Sequence, residues 1–240
     1  MIFNFTLCKI IHICNNELKA FKMGYTYSFF EKILMAIITG SSNFGTVPGL
    51  ILIKRQKRTF VYYLSLFALI NSLMYHICES LDIVIYLPQL KWHELDNIGA
   101  ICCLNSLIIA KTSFCFDMKH QRKMNYLSLF LALLFQKRGP WELINTILPI
   151  VIISLITIYQ LIKYGVPQYY PEPLKQGFIL LIPAFAMFFK GLDDGNDYLR
   201  IYHSLWHVLI GLSSYYLWQI QYAKRTPLST MIADILHFRF

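Results

Sequence analysis

Long apolar runs separated by short polar turns dominate this chain. Ile98–Phe116, Leu143–Ile162 and Ile201–Ile220 each come close to the roughly 20 residues that an α-helix needs to cross a bilayer. Phe60–Ile77 is nearly as long and carries no charge. Three weaker stretches join them. Ile33–Ile53 is interrupted by "TGSSNFGTVPG", residues 39–49, whose glycines and proline predict a kink or a partly unwound turn. Met124–Phe135 and Phe178–Phe189 are short, the second with Pro183 in its middle. Ahead of them, Phe3, Leu7, Ile10, Cys14, Leu18 and Phe21 share one helical stripe, while Asn4, Lys9, His12, Asn16 and Lys19 fall elsewhere. That amphipathic pattern suits a helix lying in a membrane interface. A targeting presequence is the other use of such a stripe, though this one has no Arg and is not Ser-rich.

The expected fold class is therefore all-α: a polytopic membrane protein, a seven-transmembrane helix bundle with an N-terminal amphipathic helix. Residues 1–28 form the interfacial segment, 29–222 the bundle and 223–240 a basic tail. Composition agrees. Hydrophobic residues make up 56% of the 240 and charged ones 15%, against about 25% charged in a soluble domain. Mean hydropathy is +0.48.

The net charge of +9 changes the picture in one respect. Its lysines and arginines do not line a soluble face, which excludes a nucleic-acid partner; they cluster in turns, as in Lys54–Arg58 and Lys119–Lys123. Such turns face the cytoplasm under the positive-inside rule. The loop after the second segment carries Glu79, Asp82, Glu94 and Asp96, and the loop before the seventh carries Asp193, Asp194 and Asp197. Seven crossings put the acidic loops and the N-terminus outside or in the lumen, and the basic turns and C-terminus on the cytoplasmic or matrix side. The cysteines (Cys8, Cys14, Cys78, Cys102, Cys103 and Cys115) form no CxxC pair, so they read as small apolar packing residues.

Three histidines stand out against this apolar background. His76 lies at the end of the second segment, four residues after Ser72, and His203 and His207 lie at the start of the seventh. Asp96 lies at the start of the third. Counting crossings brings all five residues to one membrane face. Residues at i and i+4 share a helix face, so His203 and His207 can point inward together. Three His with an open fourth position is a catalytic zinc geometry, in which the metal acidifies a water and polarises a carbonyl. Asp96 could then manage a proton, and Ser72 could hydrogen-bond the water or a developing oxyanion. A histidine near a helix end can equally bond a carbonyl at the interface. Ionisable groups inside spans are functional candidates by default.

The order S-x3-H, Asp, H-x3-H resembles the CREST superfamily of seven-helix membrane hydrolases, which includes alkaline ceramidases and progestin/adipoQ receptors. The myomaker-like branch, with its phospholipase that trims GPI anchors, is the more similar one. The similarity runs from about Met23 to Tyr222 and includes "KRQKRTFVYYLSLF", "YHIC" and "DYLRIYHSLWHVLIGLSSYYL". The resemblance implies that His76, His203 and His207 bind Zn2+, with Ser72 and Asp96 holding its water as catalytic residues. The first 22 residues lie outside the pattern, and the spacing around Asp96 leaves Glu94 or His93 able to take its place.

The leading functional expectation is an intramembrane zinc-dependent hydrolase of a lipid amide or ester bond. The alternatives are a non-catalytic, myomaker-like lipid-binding and membrane-remodelling protein, and a structural subunit of a larger complex, mitochondrial or other. Expected partners are membrane lipids, with membrane proteins or further copies of this chain also compatible. "DDGND" (Asp193–Asp197) offers oxygen ligands without an EF-hand frame and reads as a solvated loop. "PQYYPEP" (Pro167–Pro173) reads as a stiff one.

Overall fold

The computed structural model describes residues 26–112, 118–193, 195–220 and 222–226. The amphipathic stripe at 1–22 and the tail beyond 226 lie outside the described residues.

Among the described residues the chain folds into seven helical rods and one small sheet. The first rod consists of α1 (Phe29–Ser42), a 3-10 turn (Asn43–Thr46) and α2 (Val47–Arg55). It starts at a capping box: Ser28 Oγ accepts the Glu31 N–H at 3.3 Å, and Glu31 Oε2 accepts the Ser28 N–H at 2.7 Å. The 3-10 turn falls inside the glycine-rich stretch, as its composition predicts. Then come α3 (Thr59–Leu81), α4 (Gln89–Thr112), α5 (Met118–Gln136), α6 (Leu143–Tyr164), α7 (Pro171–Gly191) and α8 (Ile201–Gln219).

Five helical stretches are long and apolar enough to cross a bilayer: Phe29–Arg55, α3, α4, α6 and α7. This is the make-up of a multi-pass integral membrane protein. The other two rods, α5 and α8, are 19 residues each but more polar. Lys119, His120, Arg122 and Lys123 occupy the first turns of α5, and α8 carries two histidines, three serines and Gln219.

Several helices outrun their apolar cores. α3 continues to Leu81 and α4 begins at Gln89, so Glu79, Glu94 and Asp96 are helical residues, not the loop residues that hydropathy suggests. The all-α expectation holds, with one small addition. β1 (Val166–Tyr169) and β2 (Tyr222–Thr226) pair antiparallel, so part of the stiff loop and the first residues of the basic tail form a two-stranded sheet.

Successive rods alternate in direction, and contacts at the two ends establish this. At one end Gln56 Nε2 donates to the Trp218 carbonyl at 2.8 Å, Arg58 to Gln121 Oε1 at 3.4 Å and Lys111 Nζ to the Ile220 carbonyl at 2.9 Å. Tyr169 of β1 donates to the Lys111 carbonyl at that same end, at 2.7 Å. At the other end Tyr198 donates to Glu31 at 2.6 Å and Asn97 to the Pro140 carbonyl at 2.9 Å. The basic turn 54–58 and the start of α5 thus share an end.

α4 sits centrally against α3, α5 and α6. Its apolar side forms a cluster of Ile98, Ile101 and Cys102 with Ala132 of α5. Polar side chains tie the same helices together, Asn105 donating to Ser128 at 2.9 Å and Ser106 to Asn125 at 3.0 Å. Such interhelical bonds satisfy groups that lipid cannot. α7 presents the buried small residues Gly177, Ala184 and Gly191, spaced seven apart on one face, to α8. A Cβ on Gly177 would meet Leu217 Cδ2 at 2.5 Å, and one on Gly191 would meet the His203 nitrogen at 2.9 Å. This close approach positions the first turn of α8.

Candidate metal centre

Helix α3 carries His76 less than two turns from its end, and α8 carries His203 and His207 in its first two turns. Because the rods alternate, both sites lie at the end opposite the basic turns. His207 Nε2 is 3.0 Å from His76 Nε2 and 3.0 Å from His203 Nε2. One ligand atom from each ring lies within 4.8 Å of the others. A single hydrogen on His207 Nε2 can serve only one neighbour at a time. A cation would engage all three lone pairs at once, and tetrahedral zinc with bonds of about 2.05 Å needs nitrogens roughly 3.3 Å apart. The donor set fits such an ion.

Asp96 reaches this group from α4. Its carboxylate stands beside the Ser72 hydroxyl and the His76 imidazole. Ser72, one turn before His76, is buried, and its Oγ does not attain hydrogen-bonding geometry with any group; nor does the buried Ser204 Oγ next to His203. Buried hydroxyls normally find a partner, and the Ser72 hydroxyl, beside Asp96 and His76, is placed to serve a molecule at this site. His76 is fully buried, whereas His203, His207 and Asp96 keep partial exposure.

Of the two alternatives to Asp96, Glu94 is ion-paired away from the histidines, whereas the His93 ring packs on Tyr75, which in turn packs on His76, and its buried Nδ1 has no hydrogen-bond partner. His93 stacks on Trp141 with ring centroids 3.9 Å apart. Glu94 pairs with Lys91 at 2.9 Å and Lys137 at 2.5 Å. A cavity lined by Leu52, Gln56, Tyr170, Pro173 and Gln219 opens at the basic end, remote from the histidines.

Three residues at the site escaped sequence reasoning. Glu79 Oε2 lies 3.3 Å from His76 Nδ1. Its Oε1 accepts the Tyr75 hydroxyl at 2.5 Å and Arg200 Nη2 at 3.4 Å. Asp197 is not solvated, as its loop suggested. It is fully buried, and its carboxylate accepts the N–H groups of Tyr202 at 2.8 Å and His203 at 3.0 Å. These are orphan donors of the first turn of α8. The available signal was positional: Glu79 follows His76 by three residues, on the same helical face, and Arg200 precedes His203 by three.

A family model described as "Protein of unknown function (DUF3522)" matches residues 31–208, a stretch that contains Ser72, His76, Asp96, His203 and His207. No curated protein matches the chain.

Proposed function

The chain belongs to the DUF3522 family of proteins of unknown function, a description that assigns no chemistry, and from the site itself we propose an intramembrane zinc-dependent hydrolase acting on a lipid amide or ester. The observation that carries this reading is the convergence of three imidazole nitrogens within 4.8 Å, from two helices far apart in sequence, beside the Asp96 carboxylate and the Ser72 hydroxyl. In this reading all seven rods cross the membrane, the basic end faces the cytoplasm or matrix, and the site lies near the opposite face.

His76, His203 and His207 would hold the ion through Nε2. Zinc there supplies a Lewis acid for an acyl carbonyl and for water. Asp96 takes the proton from the attacking water as its oxygen adds to the acyl carbon. It then returns that proton to the departing amine or alkoxide as the C–N or C–O bond breaks. Ser72 donates its hydroxyl to the carbonyl oxygen as negative charge develops there. The partly exposed His203 and His207 leave a way in for a substrate from the hydrocarbon phase. The lipid substrate class is what the resemblance of the S-x3-H, Asp, H-x3-H order to the CREST hydrolases implies.

Metal analysis of purified protein followed by a lipid-hydrolysis screen tests this. About one zinc per chain is expected, with turnover of a ceramide, phospholipid or GPI lipid. Asp96→Asn should retain zinc and lose activity by about 100-fold or more. Zinc-loaded wild type that hydrolyses none of these would put the lipid-binding and remodelling role, or the structural-subunit role, in first place.

A further inference from the structure

An imidazole can present one lone pair to a metal only if its other nitrogen carries the hydrogen. With His76 Nε2 facing His207 at 3.0 Å, that hydrogen belongs on Nδ1, and the group 3.3 Å from Nδ1 is Glu79 Oε2. The division of labour on this carboxylate is informative. Oε1 is taken by Tyr75 and Arg200, which leaves Oε2 to the imidazole.

Arg200 is itself held unusually. It lies in the turn before α8, is buried, and donates through Nη1 to the Gly191 carbonyl at 3.3 Å. Leu199 and Arg200 adopt φ of 55° and 57°, a left-handed conformation that non-glycine residues rarely take. Asp197 secures the same turn through the Tyr202 and His203 amides. The Glu79–Arg200 pair thus joins the helix bearing His76 to the start of the helix bearing the other two histidines.

A buried ion pair is a poor device for stability alone, because well-packed apolar side chains of the same volume do as well or better. Apolar side chains could not accept an Nδ1 hydrogen. We infer that Glu79, anchored by Arg200, is the positioning residue of this centre, fixing the tautomer and ring direction of His76 and tying the two ligand-bearing helices together. The inference rests on the zinc reading above.

Zinc affinity of the full-length protein in nanodiscs, measured by chelator competition, provides the test. Glu79→Gln keeps a hydrogen-bonding group for Arg200 but removes the charge that orients His76. It should weaken zinc binding by about 10- to 100-fold, the usual cost of losing an outer-shell partner, and the metal-free protein should also melt lower, because Arg200 keeps a buried charge with no counter-ion. The double variant Glu79→Leu/Arg200→Met strands no buried charge. It should weaken zinc equally, and it carries the comparison if Glu79→Gln does not fold. Variants that lower the melting temperature of the metal-free protein but bind zinc as tightly as wild type would reduce the pair to a structural tie and overturn the inference while the centre stands. Wild type that takes up no zinc would overturn the centre itself, and this inference with it.

Discussion

His207 is the hub of the three imidazoles, since its Nε2 is the one that stands 3.0 Å from both of the others. Removing it leaves two ligands on separate helices, too few to hold zinc in a stable shell. His207→Ala should reduce zinc from one ion per chain to near zero by elemental analysis. His93→Ala should retain zinc despite lying close by, because that ring stands outside the cluster of three converging nitrogens. Equal loss in both variants would argue for a general collapse of the bundle rather than removal of a ligand. The ligands were legible because S-x3-H and H-x3-H place side chains on one helix face. Glu79 and Arg200 were not, because 121 residues separate them and nothing local in either segment names the partner.

At the level of elements, α8 is positioned by close backbone contacts and by a borrowed cap. A Cβ on Gly211 would meet Gly45 C at 2.5 Å and Thr46 N at 2.7 Å, backbone atoms of the 3-10 turn and its junction with α2, whereas a Cβ on Gly40 would meet only the flexible Leu73 Cδ1 at 3.2 Å. Backbone cannot swing aside as a side chain can. Gly211→Ala is therefore expected to destabilise the protein by about 1–3 kcal/mol in thermal unfolding, and Gly40→Ala by clearly less. Asp197→Ala removes the acceptor of two amides at the start of α8, at a cost of about 1–2 kcal/mol, and should weaken zinc binding because one of those amides belongs to His203. A normal melting temperature for Asp197→Ala would show that the cap is dispensable.

For the whole molecule, the alternation of rods and the separation of charge make one statement. Lys54, Arg55, Lys57 and Arg58 gather at one end, while Asp193, Asp197 and the metal-ligand cluster lie at the other. With single cysteines in a background lacking the native ones, Lys57→Cys and Asp193→Cys, both exposed positions, should react with impermeant reagents from opposite sides of the membrane. Labelling from the same side would break the seven-crossing arrangement.

Period and hydropathy are local quantities, and what they determine is local. The apolar runs marked every rod, the stretch 39–49 marked the break at Asn43–Thr46, and the pattern of basic turns sorted the rods into two ends. Even the short Phe178–Phe189 run with Pro183 belongs to a full 21-residue helix, because the 3.6-residue period extends beyond the apolar core. What the tertiary structure alone decided is which polar groups meet. It buried Asp197 under α8 instead of leaving it in a solvated loop, and turned Asp96 toward Ser72 and His76 while Lys91 and Lys137 occupied Glu94. It also paired residues 166–169 with 222–226, and set Glu79 between His76 and Arg200. Each of these contacts depends on two helices approaching in one rotation and register. That register is set by volumes such as those at Gly45, Gly191 and Gly211, where a missing Cβ lets backbones touch, and no periodicity along a single segment encodes it.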